Sequence, residues 1–158
     1  FKNIFSALKG FDNNFIVSNY GLDPKLGKYH RTFCPSCNYT AHEILPVTEC
    51  PSCHNKAVTL GVFDRIALIA DYKTPIHPEN RPLYHYQVPL EFIPGIGNKT
   101  IEKLILNFGT EMNVIHNADK IQLTDVVGEQ IATSIILARE GKLDMKVGGG
   151  GFYGKVLD

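Results

Sequence analysis

Four cysteines lie within twenty residues and form two copies of one short pattern. Cys34-Pro-Ser-Cys37 is followed, after an interval of twelve residues, by Cys50-Pro-Ser-Cys53. Two such turns bring four thiolates to the corners of a tetrahedron, about 2.3 Å from a single Zn²⁺. Because four thiolates leave no open position for water, we expect a structural zinc ion rather than a catalytic one. Residues 39–49 would then form the hairpin of a zinc ribbon.

Two alternatives to a zinc site are weighed against this prediction. A pair of disulfides would need an oxidising environment, and nothing at the N-terminus resembles a signal peptide. A redox-active Cys-x-x-Cys pair would not need a duplicate at matching spacing. His30, His42 and His54 lie near the cysteines in the sequence, and we expect them at surface or supporting positions rather than on the metal. The spacing therefore favours zinc.

A second pattern, in the later half of the chain, is typical of phosphate binding. Pro94-Gly95-Ile96-Gly97 predicts a tight turn that leads into a helix over 99–108. The two glycines permit positive φ and leave backbone N–H groups uncovered at a helix N-terminus, where the helix dipole favours anions. Lys99 is a candidate for a direct phosphate contact. The alternative is that the glycines only cap ordinary helices.

A degenerate copy of this pattern lies 31 residues further along the chain. Aligning Gly97 with Gly128 places Val126 at the position of Gly95 and Gln130 at that of Lys99. We include Gly128 among the candidate DNA contacts, with the second hairpin serving mainly to support the first. The stretch resembles the helix-hairpin-helix motif of DNA repair proteins, which grip a DNA backbone through such turns without reading its sequence.

Length and composition limit what the chain does with these sites. It has 158 residues, of which 44% are hydrophobic, as in a globular protein of one ordinary domain or two small modules. No run approaches 18 consecutive apolar residues, which excludes a membrane-spanning helix. Sixteen basic and sixteen acidic residues cancel, so net charge gives no long-range attraction to nucleic acid. Position 1 is Phe, and we expect a piece of a longer, cytoplasmic protein.

The predicted fold class is α+β, a small four-cysteine zinc ribbon followed by a mostly helical double helix-hairpin-helix unit. Five segments are predicted. They are the end of an upstream domain (1–26), the ribbon (27–60), a linker helix with a Pro-rich loop (61–88), the double hairpin (89–146) and a Gly-rich tail (147–158). At the N-terminus we expect a short helix over 1–10 and a strand over 14–20. The helix would point four apolar side chains inward: Phe1, Ile4, Phe5 and Leu8.

Two short stretches combine hydrogen-bond donors with aromatic rings. Tyr29, His30 and Arg31 precede the first cysteine pair, and Arg81 and Tyr84 follow the Pro-rich loop. Each stretch is a candidate to hold a DNA strand or a flipped base. For the first stretch, the alternative is a solvated strand whose aromatic side chains cover the zinc site. For the second, the alternative is a loop that is fastened to the core, and we favour this interpretation.

Two further segments carry expectations of their own. Residues 61–71 are predicted to form a buried helix in which Arg65 meets a carboxylate or a carbonyl group. The glycine-rich end is flexible by composition, but Phe152 and Tyr153 indicate that it docks. A glycine backbone can also approach another chain very closely.

Taken in order, these motifs resemble the C-terminal half of endonuclease Q. The series covers 27–154 and comprises G-K-Y-H-R-T-F-C-P-x-C, C-P-x-C, G-V-x-D-R-I, H-P-x-x-R-P-x-Y, the hairpin repeat and G-G-G-G-x-Y-G. The resemblance implies a DNA-repair enzyme that nicks 5′ of deaminated bases such as hypoxanthine and uracil, or at abasic sites. It also implies that the catalytic metals belong to an N-terminal PHP-type nuclease domain, which this sequence lacks.

The chain is therefore predicted to be a non-catalytic accessory part of a metal-dependent endonuclease. Its expected partners are damaged double-stranded DNA and the nuclease domain of the parent chain. The alternative is a protein-interaction or structural zinc module of a helicase-like or other DNA-processing protein. No G-x-x-x-x-G-K-[ST] motif is present to support an ATPase.

Overall fold

The computed structural model describes residues 1–43 and 46–157. Helices and short strands are mixed in it, which confirms the predicted α+β class. The helices are α1 (Lys2–Lys9), α2 (Val62–Ile69), α3 (Asn98–Phe108), α4 (Glu111–His116), α5 (Lys120–Val127) and α6 (Glu129–Arg139). Among the described residues, no helix has the length and apolar character needed to cross a membrane.

The strands are short and associate in pairs within the described residues. They are β1 (Ser18–Leu22), β2 (Phe33–Cys34), β3 (Tyr39–Thr40), β4 (Leu83–Gln87), β5 (Met145–Lys146) and β6 (Lys155–Val156). β1 pairs with β4 in parallel, whereas β2–β3 and β5–β6 are antiparallel. The predicted hairpin over 39–49 lies partly outside the described residues, because positions 44 and 45 are not among them.

Helices α3 to α6 pack around one apolar core. Leu104 of α3, Leu123 of α5 and Ile135 of α6 are completely or almost completely buried there, as the helical spacing of apolar positions requires. Capping side chains keep the connections short: Thr110 accepts from the backbone N–H of Asn113, and a carboxylate cap begins α5. The helices are thereby held as two adjacent hairpins.

The N-terminal segment only partly matches its prediction. The helix α1 forms and ends at Gly10 in the left-handed conformation with φ 68°. Its four apolar side chains do not point inward, because within the described residues nothing packs over them and all four are exposed. The strand begins at Ser18 rather than at position 14, and Leu26 is buried in the same core as the helices. Residues 18–26 are thus attached to the rest of this structure.

The prediction of a buried helix over 61–71 is wrong. The apolar side chains of α2 are exposed, and the residue that the helix buries completely is Asp64. The predicted contact from Arg65 to a carboxylate or carbonyl is absent within the described part of the chain, where this side chain is exposed. The buried residue of α2 is polar, whereas its apolar residues are exposed. Hydrogen bonds at the first turn therefore hold this helix in place.

The glycine-rich end is docked rather than free. The N–H of Gly148 donates to Lys25 O at 2.9 Å, and that of Gly154 donates to Leu26 O at 3.0 Å. A Cβ at Gly148 would lie 2.2 Å from Gly27 O, so only glycine allows this approach. The segment therefore packs along the backbone that leads into the ribbon.

Candidate metal centre and nucleic-acid interface

The four cysteine sulfur atoms form one compact cluster. All lie within 4.8 Å of one another, and the closest pairs are Cys37–Cys50 at 3.5 Å and Cys34–Cys53 at 3.6 Å. A zinc ion about 2.3 Å from each sulfur of a tetrahedron requires edges of roughly 3.8 Å. None of the four is in a disulfide. The cluster can therefore hold one metal ion, and among the described residues it is the single group of three or more potential ligands that converges in this way.

The two cysteine turns have matching backbone geometry. The residue after each second cysteine, Asn38 or His54, has a positive φ of 57° or 56°. Such a conformation is costly for a side-chain-bearing residue, so its repetition at equivalent positions indicates that both turns are shaped for the same task. His54 is exposed and lies 3.7 Å from Glu49, and it is not part of the sulfur cluster.

Backbone N–H groups favour the charged form of one thiol of the cluster, Cys34, whereas burial and the Cys50 thiol raise the pKa of Cys37. Although a backbone N–H from Asn55 lowers it, burial and the neighbouring thiols raise the pKa of Cys53 to about 12. Burial alone would raise the pKa of the Cys34 thiol, but hydrogen bonds from the N–H groups of Cys37 and Ser36 and from the neighbouring thiols lower that pKa to about 7. A lowered pKa favours the thiolate, which is the form that binds metal.

The strand before the first cysteine is anchored by an ion pair that sequence analysis missed. Asp64 accepts from Arg31 Nε at 3.2 Å and Nη2 at 3.3 Å, and from the N–H and Oγ1 of Thr32 at 2.9 Å each. A further bond comes from the N–H of Val47 at 3.0 Å. Although burial raises it, these donors hold the pKa of Asp64 below its ordinary value.

The ion pair changes the interpretation of Arg31. Its side chain is buried and Nη2 also donates to Glu43 O at 2.8 Å, so Nε and Nη2 are both engaged inside the protein. These contacts give Arg31 a structural role, and its contact with a strand or a base stays a prediction. The first two N–H groups of α2, from Val62 and Phe63, add bonds to Tyr29 O and His30 O.

The first glycine turn has the geometry of an open helix N-terminus. Gly95 has φ 82°, Ile96 is buried, and Gly97 is the N-cap of α3 with φ −105°. Within the described residues, the N–H groups of Gly97, Asn98 and Lys99 have no hydrogen-bond partner. These donors and the exposed Lys99 side chain can meet an oxygen anion from outside.

The second turn lies against the first. Gly128 is the N-cap of α6 with φ 84°. A depression of about 320 Å³ is lined by Thr100 and Lys103 of α3 and by Gly128 and Ile131, so both helix N-termini border one groove. The exposed carboxylate of Glu129 stands at the start of α6, which disfavours a phosphate there.

Arg81 and Tyr84 line an open cleft of about 950 Å³, together with Leu22, His77 and Tyr86. The side chain of Tyr84 lies over Gly21 of β1, where a Cβ on residue 21 would collide with the Tyr84 phenol group. Both Arg81 and Tyr84 are exposed, so each is accessible from the cleft.

Tyr29 and His30 occupy a different place. Tyr29 is half exposed, whereas the His30 ring lies 5.6 Å from that of Phe63 on α2. Burial and the charge of Arg31 hold the pKa of His30 below its ordinary value. Neither side chain lines the cleft of Arg81 and Tyr84 in the described structure.

Two relatives match nearly all of this chain. It is 47% identical over 150 residues to the uncharacterized protein YqxK of Bacillus subtilis, covering 95% of this chain and 38% of that protein. It is 38% identical over 170 residues to the uncharacterized protein MJ0043 of Methanocaldococcus jannaschii, covering 99% of this chain and 21% of that protein. No protein-family model matches the chain. The chain thus spans well under half the length of these relatives.

Two solved structures share its fold. One is the lesion-specific endonuclease PfuEndoQ from Pyrococcus furiosus, with a TM-score of 0.80 and 32% identity. The other is endonuclease Q in complex with a 27-mer duplex substrate that has an abasic lesion at the active site, with a TM-score of 0.78 and 32% identity. Each match covers 99% of this chain and 41% or 42% of the solved chain.

These matches show that the chain shares the fold of the corresponding part of endonuclease Q. Their coverage is consistent with a C-terminal part of a longer enzyme. The resemblance to endonuclease Q that the motifs indicate is confirmed over 99% of this chain, which corresponds to about two fifths of that enzyme.

Proposed function

We propose that this chain is the DNA-binding, non-catalytic part of a DNA-repair endonuclease, built on a structural zinc ribbon. The parent enzyme would nick damaged duplex DNA on the 5′ side of deaminated bases, or at abasic sites. Catalytic metals would be held elsewhere in the parent, because the described residues bring together no second group of metal ligands. Four thiolates with no carboxylate among them favour zinc over magnesium or calcium.

The observation that carries the proposal is the uncovered helix N-terminus at Gly97. Three backbone N–H groups, from Gly97, Asn98 and Lys99, have no partner among the described residues and face solvent beside a lysine. A DNA phosphate satisfies such donors and gains from the helix dipole. Because the contact uses backbone amides, it works even though 91–146 carries six basic against eight acidic residues.

Substitution Gly97→Asp is expected to weaken binding to duplex DNA at least tenfold while leaving the fold intact. Asp is a good N-cap residue and the backbone at position 97 has an ordinary negative φ, so its carboxylate would occupy the free amides and stabilise α3 by about a few tenths of a kcal/mol relative to Gly. The same carboxylate repels phosphate. Fluorescence anisotropy with a labelled duplex measures the binding, and thermal unfolding measures the fold.

Asn3→Asp in α1 is the matched control, because it introduces the same charge at an exposed position far along the chain. The glycine turn acts only as a helix cap if Gly97→Asp raises Tm and leaves DNA affinity equal to that of the control. That result would favour the protein-interaction or structural module instead.

The cleft of Arg81 and Tyr84 is our candidate for holding a strand or a base near the lesion. The double substitution Arg81→Ala and Tyr84→Ala is expected to reduce affinity for a duplex with one deoxyinosine about tenfold, because base–aromatic stacking contributes about 1–3 kcal/mol. Affinity for plain duplex should fall less. Competition anisotropy with the two duplexes makes the comparison.

The matched control removes an exposed arginine and an exposed tyrosine outside the cleft, through Arg65→Ala and Tyr72→Ala. Unchanged affinity for both duplexes in a folded cleft variant would remove Arg81 and Tyr84 from the DNA-binding surface and leave the glycine turn as the proposed grip.

A further inference from the structure

Two lysines face each other across the β5–β6 pair. Lys146 and Lys155 are register partners in this antiparallel pair, and both are exposed. Directly opposed side chains share one face with Cβ atoms about 4.5–5.5 Å apart, so like charges there destabilise the pair. No acidic side chain among the described residues forms an ion pair with either lysine. An anion from outside the chain would relieve the repulsion.

A third lysine and an aromatic ring extend this positive surface. The ammonium of Lys28 lies 4.6 Å from the centroid of the Tyr153 ring, a cation–π contact that holds the charge in place. Tyr153 is 57% exposed, so the ring supports the ammonium without covering it. We call Lys28, Lys146, Lys155 and Tyr153 the lysine surface.

The lysine surface stands on a fixed backbone. The N–H of Gly151 donates to Lys28 O at 3.1 Å, and the N–H of Arg31 donates to Gly148 O at 3.0 Å. At Gly150 a Cβ would lie 2.3 Å from the Phe33 ring. These contacts tie the glycine segment to the strand that enters the metal centre, so the lysines belong to a preorganised surface rather than to a free tail.

The lysine surface is continuous with the first glycine turn. A groove of about 480 Å³ has Pro94, Gly95 and Ile96 on its walls together with Tyr153 and Lys155. A second depression, of about 380 Å³, is shared by Lys146, Lys155 and Tyr153. Glu91 is the acidic residue on the wall of the first groove. The glycine turn and Lys155 therefore line the same groove, and Lys155 and Tyr153 also line the second depression with Lys146.

We propose that the lysine surface is a second contact to the phosphate backbone of duplex DNA, adjacent to the contact at Gly97. This inference rests on the proposed function. The helical unit is net acidic and offers neutral amides, whereas the lysine surface supplies the positive charge that a phosphate backbone attracts. Lys28 and Lys155 thus bring positive charge from outside 91–146, and Lys146 adds to it.

The test is the salt dependence of binding to a plain duplex by the zinc-loaded protein with Lys146→Gln and Lys155→Gln. Each phosphate contact contributes about 0.9 to the slope of log K against log salt, so the slope should become shallower by about 2 and low-salt affinity should fall at least tenfold. Tm should not decrease, because the opposed charges are gone. Lys146→Arg with Lys155→Arg should restore the slope.

Lys2→Gln with Lys9→Gln in α1 is the control for the charge change. A slope equal to that of this control overturns the lysine surface, as does a lower Tm with an unchanged slope. If the lysine variant has the slope of the control but Gly97→Asp loses DNA binding, the proposed function stands and only the proposed role of the lysine surface is wrong. If the unsubstituted protein does not bind duplex at low salt, both fall.

Discussion

Substitution Cys53→Ser is expected to abolish metal retention and to unfold the ribbon. Between positions 27 and 60, the residues that the structure describes bury almost no large apolar side chain; the buried ones are Arg31, Thr32, Cys34, Ala41 and Cys50. A segment with so small a core needs a metal to fold, and binding free energy in such sites is folding free energy, about 10–16 kcal/mol for structural zinc in peptides.

Metal affinity should fall further in Cys53→Ser than the roughly 10- to 100-fold that follows removal of a supporting hydrogen-bond partner. The reason is that Cys53 is itself a predicted ligand in the cluster. Metal content by atomic emission and the far-UV circular dichroism melt measure the outcome. Ser52→Ala, one residue away and exposed, is the control and should keep one zinc per chain. If Cys53→Ser keeps one zinc and the same Tm, the four-cysteine site is not what holds this segment.

The features that the sequence predicts well are local ones. The doubled Cys-x-x-Cys spacing predicts the sulfur cluster because each turn closes over four residues. The helix over 99–108 is predicted to within one residue of its observed bounds because a glycine turn and apolar residues at helical spacing lie within one segment. Even so, Ile105 is 38% exposed whereas Leu104 beside it is buried, since neighbouring elements decide which part of an apolar face is covered.

The features that were missed depend on contacts between distant parts of the chain. β1 and β4 pair in parallel across 65 positions, and Arg31 meets Asp64 across 33. No periodicity predicts either pairing. A signal for the second was present in Gly61-Val-Phe-Asp64: a glycine before a short apolar helix and a carboxylate one turn in. A Cβ at Gly61 would lie 2.2 Å from the carbonyl carbon of Arg31, so both residues serve the same junction.

Substitution Asp64→Asn is expected to destabilise the protein by about 3–5 kcal/mol, because it leaves the buried Arg31 charge without its counter-ion. The side chain of Asp64 is completely buried and accepts hydrogen bonds from Arg31, Thr32 and Val47. The Asn side chain has one acceptor oxygen, and its NH₂ group is a donor. At least one of the donors that now bond to Asp64 would therefore face this NH₂ group. Chemical denaturation in the presence of zinc measures the change.

Asp71→Asn removes the same charge from an exposed position and should change stability by no more than about 0.5 kcal/mol. If the two substitutions cost the same, the ion pair contributes no more than a surface charge. Replacing both partners, Arg31→Met with Asp64→Asn, should cost less than Asp64→Asn alone, because no buried charge is then left unpaired and the Asn oxygen still accepts from Thr32. The junction would in that case keep its fold through Gly61 and the N–H groups of Val62 and Phe63, which separates the role of backbone docking from that of charge.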